Sequence, residues 1–250
     1  MNNPINLSIV IPLYNEELRI VSTYPKIIDY INKVSSKLNL NFELVFVNDG
    51  SKDNTKNIIN KLISSNKHIP SIVVSYPKNM GKGFALKKGF KVAKGDYILF
   101  MDADLSTPLN HIQDFINNIK DNKLQGTNTI LIGSRKTKGS NVTKHQPIIR
   151  ETLGKGFTLL SNLLLVKGIT DFTCGFKMFP SSAGKHLFTL TKIHRWGFDS
   201  EVLFLAKKHN YNIIEVPVSW INDTNSKVKL GRDVVRSFKE VLKIRFNLYS

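Results

Sequence analysis

A single cysteine, Cys174, is all the thiol this chain has, so no internal disulfide can staple it. A reducing compartment suits such a sequence, and a lone cysteine reads as a small buried hydrophobe. No apolar run approaches the length of a membrane span. The start, Met1-Asn2-Asn3-Pro4, lacks the charged and apolar pattern of a secretory signal. The sequons Asn141-Val142-Thr143 and Asn222-Asp223-Thr224 are therefore expected to stay unmodified. His68, His111, His145, His186, His194 and His209 show no metal-ligand spacing and read as structural or surface residues. There is no Gly-x-Ser-x-Gly elbow and no Cys–His pair to seat a nucleophile. Acidic residues are scarce: 19 Asp and Glu face 36 Lys and Arg, a formal charge of +17. That field attracts polyanions, whether nucleic acid, acidic lipid or phosphorylated substrate, without choosing among them. The scattered lysines read as a solvated surface.

The 250 residues are 41% hydrophobic, enough for one sizeable core. Short apolar runs rich in β-branched residues recur at Ile5–Pro12, Phe42–Val47, Ile69–Ser75, Tyr97–Met101, Thr129–Ile132 and Ile213–Val218. Each suits a strand buried on both faces of a sheet. Helical patterns separate the early ones. Leu18, Val21, Ile27, Ile28, Ile31, Val34 and Leu38 form an apolar stripe that Pro25 is expected to kink or divide. Ser51 or Asp53 caps a second helix carrying Ile58, Ile59, Leu62 and Ile63. A third runs from Gly83 to about Lys94. Alternating strands and helices predict an α/β fold with a mostly parallel central sheet and right-handed crossovers. Ligands then belong at the carboxyl ends of the strands. Ser134 to Ile148 is polar and aperiodic, and is expected to be a loop. An apolar helix follows, from about Leu153 to Val166. In the C-terminal segment, residues 232–250, Val234, Val235, Phe238, Val241, Leu242 and Phe246 share one side, while Arg232, Arg236, Lys239 and Lys243 share another. It is read as a separate amphipathic helix following a catalytic domain, residues 1–231, and lies either on a membrane surface or on the core.

Polar clusters stand where the strand-tip rule points. The first strand leads into Pro12-Leu13-Tyr14-Asn15-Glu16 and the second into Asn48-Asp49-Gly50-Ser51. Such residues can hydrogen-bond a base or ribose, and Asn-Asp-Gly-Ser is equally good turn chemistry. The fourth strand ends in Asp102-Ala103-Asp104. Two carboxylates one residue apart on an extended chain point the same way. They are hard oxygen ligands suited to Mg2+ or Mn2+, with substrate phosphates completing the shell, or else they form a solvated acidic turn. Lys78-Asn79-Met80-Gly81-Lys82-Gly83 opens a helix, where glycines allow close backbone approach and a helix N-terminus favours phosphate. It matches neither the Walker A spacing nor the dinucleotide fingerprint.

The segments SIVIPLYNE, FVNDGSKDNT, NMGKGFALKKGFKVAKGDYILFMDADLSTP, IGSR, ITDFTCGFKMF, RWGFDSEVLFLA and EVPVSW occur in order along most of the chain. Together they resemble the family 2 inverting glycosyltransferases, chiefly members that load glucose onto dolichyl phosphate and next those that load mannose. The resemblance implies a glycosyltransferase-A fold, with a nucleotide-sugar half over about residues 1–133 and an acceptor half over about 134–231. It implies that Pro12, Tyr14, Glu16 and Asp49 border uridine, that Asp102 meets the ribose or diphosphate, and that Asp104, with Asp102, holds Mg2+ or Mn2+. Gly81 and Lys82 fall in the nucleotide site. Arg135, Arg150 and Lys227 would gather the acceptor phosphate, with Asp171 positioning a sugar hydroxyl or acting as base. Trp196 and Asp199 fall in an acceptor-side helix of relatives.

The implied partners are a UDP-sugar, a polyprenyl or dolichyl phosphate and a membrane surface, at the cytosolic side of the endoplasmic reticulum in a eukaryote. Eukaryotic members of the glucosyl type begin with a membrane-spanning anchor, whereas this sequence starts at its first strand. The expectation is thus peripheral attachment, or a truncated form. The competing readings are a donor with another sugar or acceptor, and a nucleic-acid-binding protein. The latter would need a basic stripe interleaved with aromatics, and the acidic strand tips argue against it.

Overall fold

A computed structural model describes residues 4–144, 148–221 and 230–249. The expected alternation opens it: β1 (Ile5–Leu13), α1 (Glu17–Leu38), β2 (Leu40–Asp49), α2 (Thr55–Ser64), β3 (Ser71–Tyr76), α3 (Lys82–Val92) and β4 (Tyr97–Met101). These four strands are parallel. Alternate side chains of β1 enter two cores. Leu7, Ile9 and Ile11 pack with Ile20, Ile27 and Ile31 of α1 on one face. Val10 packs with Ala85, Leu86 and Phe90 of α3 on the other. That two-sided burial is why the strand reads as a continuous apolar run. Pro25 does not divide α1, which runs unbroken through it. Pro25 is exposed, so the carbonyl it deprives of a partner one turn earlier is on the solvent side.

The second half comprises α4 (His111–Asp121), β5 (Thr129–Ser134), β6 (Asn141–Lys144), α5 (Ile148–Leu164), β7 (Phe176–Pro180), α6 (Ser181–Leu190), α7 (Phe198–Lys208), β8 (Asn212–Pro217), β9 (Ser219–Ile221) and α8 (Leu230–Lys243), closed by a π-helical turn, Ile244–Leu248. The seven-stranded sheet has the order β3-β2-β1-β4-β7-β5-β8. Its only antiparallel member among the described residues is β7, which pairs with β4 and β5. The sequence pattern hid β7 because Lys177 interrupts its apolar run. Being antiparallel, β7 starts at the edge where β4 ends, with Met101 opposite Phe176. The residues before it, 171–175, therefore join the carboxyl-end edge.

The polar stretch expected to be a loop contains β6, which pairs in parallel with β9. The C-terminal segment is not a detached helix. Val241 and Ile244 are fully buried, and Phe238 meets Phe157 of α5 edge to face at 5.8 Å. Its apolar side is divided between core and solvent, since Val235, Leu242 and Phe246 are exposed.

Candidate active site

The tips of β1, β2 and β4 and the approach to β7 meet at one edge. The order of the sheet turns there, with β2 and β3 on one side of β1 and β4 on the other, the place where an α/β sheet opens a crevice. Asp102 and Asp104 follow β4 directly. Asp104 Oδ1 accepts the Ser106 amide at 2.9 Å, and Leu105 between them is left-handed, with φ 53°. Burial pushes the Asp104 carboxyl above its ordinary value, and the charge of Asp102 adds to it. Asp102 pairs with Lys82 Nζ at 2.5 Å. Burial would lower the Lys82 ammonium, but Asp102 and Asp199 outweigh it and hold the group above its usual value. A small opening at this tip is lined by Asp102, Asp104, Ser106, Thr107, Gly175 and Trp220, among others. Gly175 lies so close to the Asp102 carboxylate that any Cβ there would collide with it.

The described residues contain no cluster of three or more His, Cys, Asp or Glu able to enclose a metal. Asp102 and Asp104 supply a partial set of hard oxygen ligands. That fits Mg2+ or Mn2+ completed by substrate phosphate and water, and does not fit a protein-enclosed structural ion.

The loop at 78–83 differs from the expectation of a phosphate cradle. Asp49, only 3% exposed, accepts the Met80 amide at 2.7 Å, the Gly81 amide at 2.9 Å and the Asn79 side-chain amide at 2.8 Å. Phe84 donates its amide to the His194 carbonyl at 3.1 Å. The amides of Met80, Gly81 and Phe84 thus serve the protein itself. Gly81 and Gly83 do permit a close approach, but of residues 193–198: a Cβ on either would strike the backbone carbonyl of His194 or Ile193. Asp49 therefore shapes the loop, and the group that the loop turns toward the site is the Lys82 ammonium. Pro12, Tyr14 and Glu16 sit half-buried at the β1 tip, with Glu16 paired to Arg19.

On the other side of β4, Arg135 follows β5 and Asp171 precedes β7. The pair is bidentate: Nε to Oδ2 at 2.6 Å and Nη2 to Oδ1 at 2.8 Å. Asp171 also accepts the Arg135 amide at 3.1 Å and the Thr173 amide at 3.2 Å. It is 0% exposed. Burial would raise its carboxyl, but Arg135 prevails and holds it far below the usual carboxylate range. A carboxylate so enclosed neither takes a proton near neutral pH nor reaches a sugar hydroxyl, so the base role expected for Asp171 does not fit its surroundings. Its geometry is that of a brace for Arg135. Lys227 lies outside the described residues. Arg150 lies on α5, and only its backbone is described.

Several site residues escaped the sequence reading. Trp220 of β9 holds its ring 5.2 Å from the Arg135 guanidinium. Glu215 accepts the Thr170 amide at 2.9 Å and the Asp171 amide at 3.0 Å, fixing the segment that carries Asp171. Lys177, wholly buried, donates to Asp199 at 2.5 Å and to the Cys174 carbonyl at 2.6 Å. Asp199, expected on an acceptor-side helix, lies in the first turn of α7, bonded to Lys177 and close enough to Lys82 to act on its charge. Its carboxyl is pushed up by burial against the opposing charges of Lys177 and Lys82. The Cys174 thiol is buried and pushed up to about 11 by burial, with Asp171 adding to the rise, so it behaves as the expected inert hydrophobe. His111 is structural as well: it accepts the Ser219 amide at 2.9 Å and bonds Asp114 at 2.7 Å, tying α4 to β9.

Residues 8–188 match the profile of Glycosyl transferase family 2. The chain is 34% identical to dolichyl-phosphate beta-glucosyltransferase of Dictyostelium discoideum over 252 residues, covering 98% of this chain and 76% of that protein. It is 32% identical to the protein of the same name from Saccharomyces cerevisiae, covering 96% and 74%, and 31% identical to that from Homo sapiens, covering 92% and 74%. Among solved structures, Mycobacterium tuberculosis glucosyl-3-phosphoglycerate synthase in complex with Mn2+, UDP and phosphoglyceric acid shares the fold. It superposes with TM-score 0.66 at 20% identity, over 96% of this chain and 77% of that one. A profile match spanning both flanks of the acidic strand tip, with relatives that align along nearly the whole chain, makes this protein a member of glycosyl transferase family 2 built on the glycosyltransferase-A fold.

Proposed function

We propose that the chain transfers glucose from UDP-glucose to dolichyl phosphate with inversion, giving a β-linked glucosyl phospholipid at the cytosolic face of the endoplasmic reticulum. The relatives at 31–34% identity, all bearing the name dolichyl-phosphate beta-glucosyltransferase, support the sugar and the acceptor. The observation that carries the reading is the pair Asp102 and Asp104 beside the Lys82 ammonium at the tip of β4, with the Arg135 guanidinium across the strand.

Asp102 and Asp104 would hold Mg2+ or Mn2+, which when bound supplies charge neutralisation for the departing diphosphate. Lys82, paired with Asp102 at the same tip, would add a positive charge on the same side. Arg135, oriented by Asp171 and flanked by Trp220, offers the attacking phosphate a fixed cation with no reorganisation at the moment of reaction. A phosphate acceptor is already ionised at neutral pH and attacks without a general base. Asp171, buried and doubly bonded, is thus consistent with a phosphate acceptor and inconsistent with a hydroxyl acceptor that would need it as base. Attack from the face opposite the leaving group gives inversion.

A long lipid acceptor brings the enzyme to a membrane surface. Ile149, Leu159 and Leu163 of α5 and Val235, Leu242 and Phe246 of the C-terminal segment are all exposed. Lys155, Arg236, Lys239 and Arg245 lie on the same elements. This composition suits peripheral contact with an anionic leaflet. No helix among the described residues is long and apolar enough to cross a membrane.

The test is purified chain with a panel of UDP- and GDP-sugars and dolichyl phosphate, with and without chelator, and the anomeric configuration of the product read by NMR. UDP-glucose should be the preferred donor, turnover should stop with chelator, and the product should be β. Preference for a GDP-sugar, or an α product, would contradict the proposal.

A further inference from the structure

The turn at residues 192–197 joins two parts of the molecule that neither the sequence pattern nor the proposed chemistry connects. On one side it touches the donor loop. The His194 carbonyl accepts the Phe84 amide, and the Gly81 and Gly83 backbones lie against His194 and Ile193. Phe198, just beyond the turn, holds its ring 5.7 Å from Lys82 Nζ. On the other side the turn is gripped by the C-terminal segment. Glu240 of α8 accepts the Gly197 amide at 2.8 Å, in contact so close that a Cβ at 197 would collide with it. Glu201, 0% exposed, accepts the Lys192 amide at 2.9 Å and the Ile193 amide at 3.0 Å. The Tyr249 hydroxyl donates to Glu201 Oε1 at 2.6 Å. Lys192 Nζ in turn donates to the Leu248 carbonyl at 2.6 Å and lies 4.7 Å from the Tyr249 ring.

We infer that the C-terminal segment is a clamp for the donor site: Glu240 and Tyr249, the latter through Glu201, are positioning residues that fix the 192–197 turn and thereby set α3 and Lys82. Glu201 is fully buried and Glu240 and Tyr249 are half-buried, so a bond lost at Glu201 or at the buried Gly197 amide leaves a shielded partner unsatisfied and loosens the turn. The turn has no regular secondary structure, and its order comes from these outside bonds. Loosening it releases the Phe84 amide at the first turn of α3, the element from which Lys82 reaches Asp102. No residue of the clamp approaches Arg135 or Asp171 in any described hydrogen bond, so its effect belongs to the donor side.

The donor and acceptor readouts rest on the proposed function; the clamp itself is tested by exchange, without any ligand. Full-length Tyr249→Phe, Glu240→Ala and Glu240→Gln are compared with the unaltered chain by hydrogen–deuterium exchange over residues 79–86, by calorimetry with UDP and Mn2+, and by KM for farnesyl phosphate as a soluble acceptor. Tyr249→Phe and Glu240→Ala should speed exchange across 79–86 and weaken UDP binding by roughly three- to tenfold, the worth of one hydrogen bond, with the acceptor KM unchanged. Glu240→Gln, which keeps an acceptor oxygen for Gly197, should restore both. Exchange over 79–86 indistinguishable from the unaltered chain overturns the inference, as does equal weakening of donor and acceptor, the mark of general loosening. Failure of the unaltered chain to bind UDP would refute the functional reading instead, while the exchange data would still decide the clamp.

Discussion

Lys82–Asp102 and Arg135–Asp171 both pair a cation with an aspartate at the same sheet edge, but they differ in access to water. In the first, the side chains are 16% and 40% exposed; in the second, the arginine is 18% exposed and the aspartate 0%. Asp102 keeps solvent access and makes one described contact with Lys82, whereas Asp171 has both oxygens occupied by the arginine and adds backbone donors. An open pair can exchange partners when a ligand arrives at little cost. A closed pair cannot, because separating it strands a buried charge. The Lys82 pair is thus built to rearrange and the Arg135 pair to stay fixed.

Six substitutions and a pH titration would break or sharpen this contrast. The largest effect belongs to the closed pair. Asp171→Asn should cost about 3 kcal/mol of unfolding free energy, the low end for a buried pair because Arg135 keeps a path to solvent. Asp102→Asn should cost less than about 1 kcal/mol. Urea titration of both variants measures this, and equal losses would erase the distinction. Next, Asp104→Asn should lower turnover by about 100- to 1,000-fold, the scale of losing one electrostatic stabiliser of the transition state, with the unfolding midpoint nearly unchanged. Lys82→Met should weaken UDP binding by about tenfold while leaving acceptor KM alone; an acceptor effect would place Lys82 on the wrong side.

Smaller effects come from the surface and from pH. Phe246→Glu and Leu159→Glu should each reduce sedimentation with anionic vesicles several-fold without altering turnover of a soluble acceptor. Point variants serve here better than truncation, since removing the tail also removes the Tyr249 contact with Glu201. For pH, the Asp171 carboxyl lies below its unfolded value. Its contribution is fully present above the ordinary carboxylate pKa of about 4 and is lost as pH falls toward the depressed folded value. The stability gap between the unaltered chain and Asp171→Asn should hold from neutral pH down to about 5 and shrink below about 4.

The sequence exposed those features that depend on neighbours in the chain. β1, β2 and β4 announced themselves as apolar runs, and Asp102 and Asp104 stood out because nothing charged precedes them in β4. α1 was equally readable, since Ile27, Ile28, Ile31, Val34 and Leu38 have helical spacing and are all buried. Features set by distant partners were not. Lys177 looked like a break in a strand, because its buried position depends on Asp199, 22 residues away. Asp49 read equally as a nucleotide contact or as turn chemistry, because the amides it accepts come from a loop about 30 residues on. The C-terminal helix offered an apolar side for either a membrane or the core, and only the fold shows that Val241 of that side is buried while Leu242 is exposed. The family resemblance supplied roles for Arg135 and Asp171, and the structure added that one braces the other.

The measurement closest to the central claim is calorimetric titration of the protein with UDP, with Mn2+ and with chelator, on the unaltered chain and on the folded Asp102→Asn/Asp104→Asn double variant. Binding should be strong for the unaltered chain with metal, and weak both in chelator and in the double variant. Equal affinity in all four arms would mean that the carboxylates at the tip of β4 do not hold the donor.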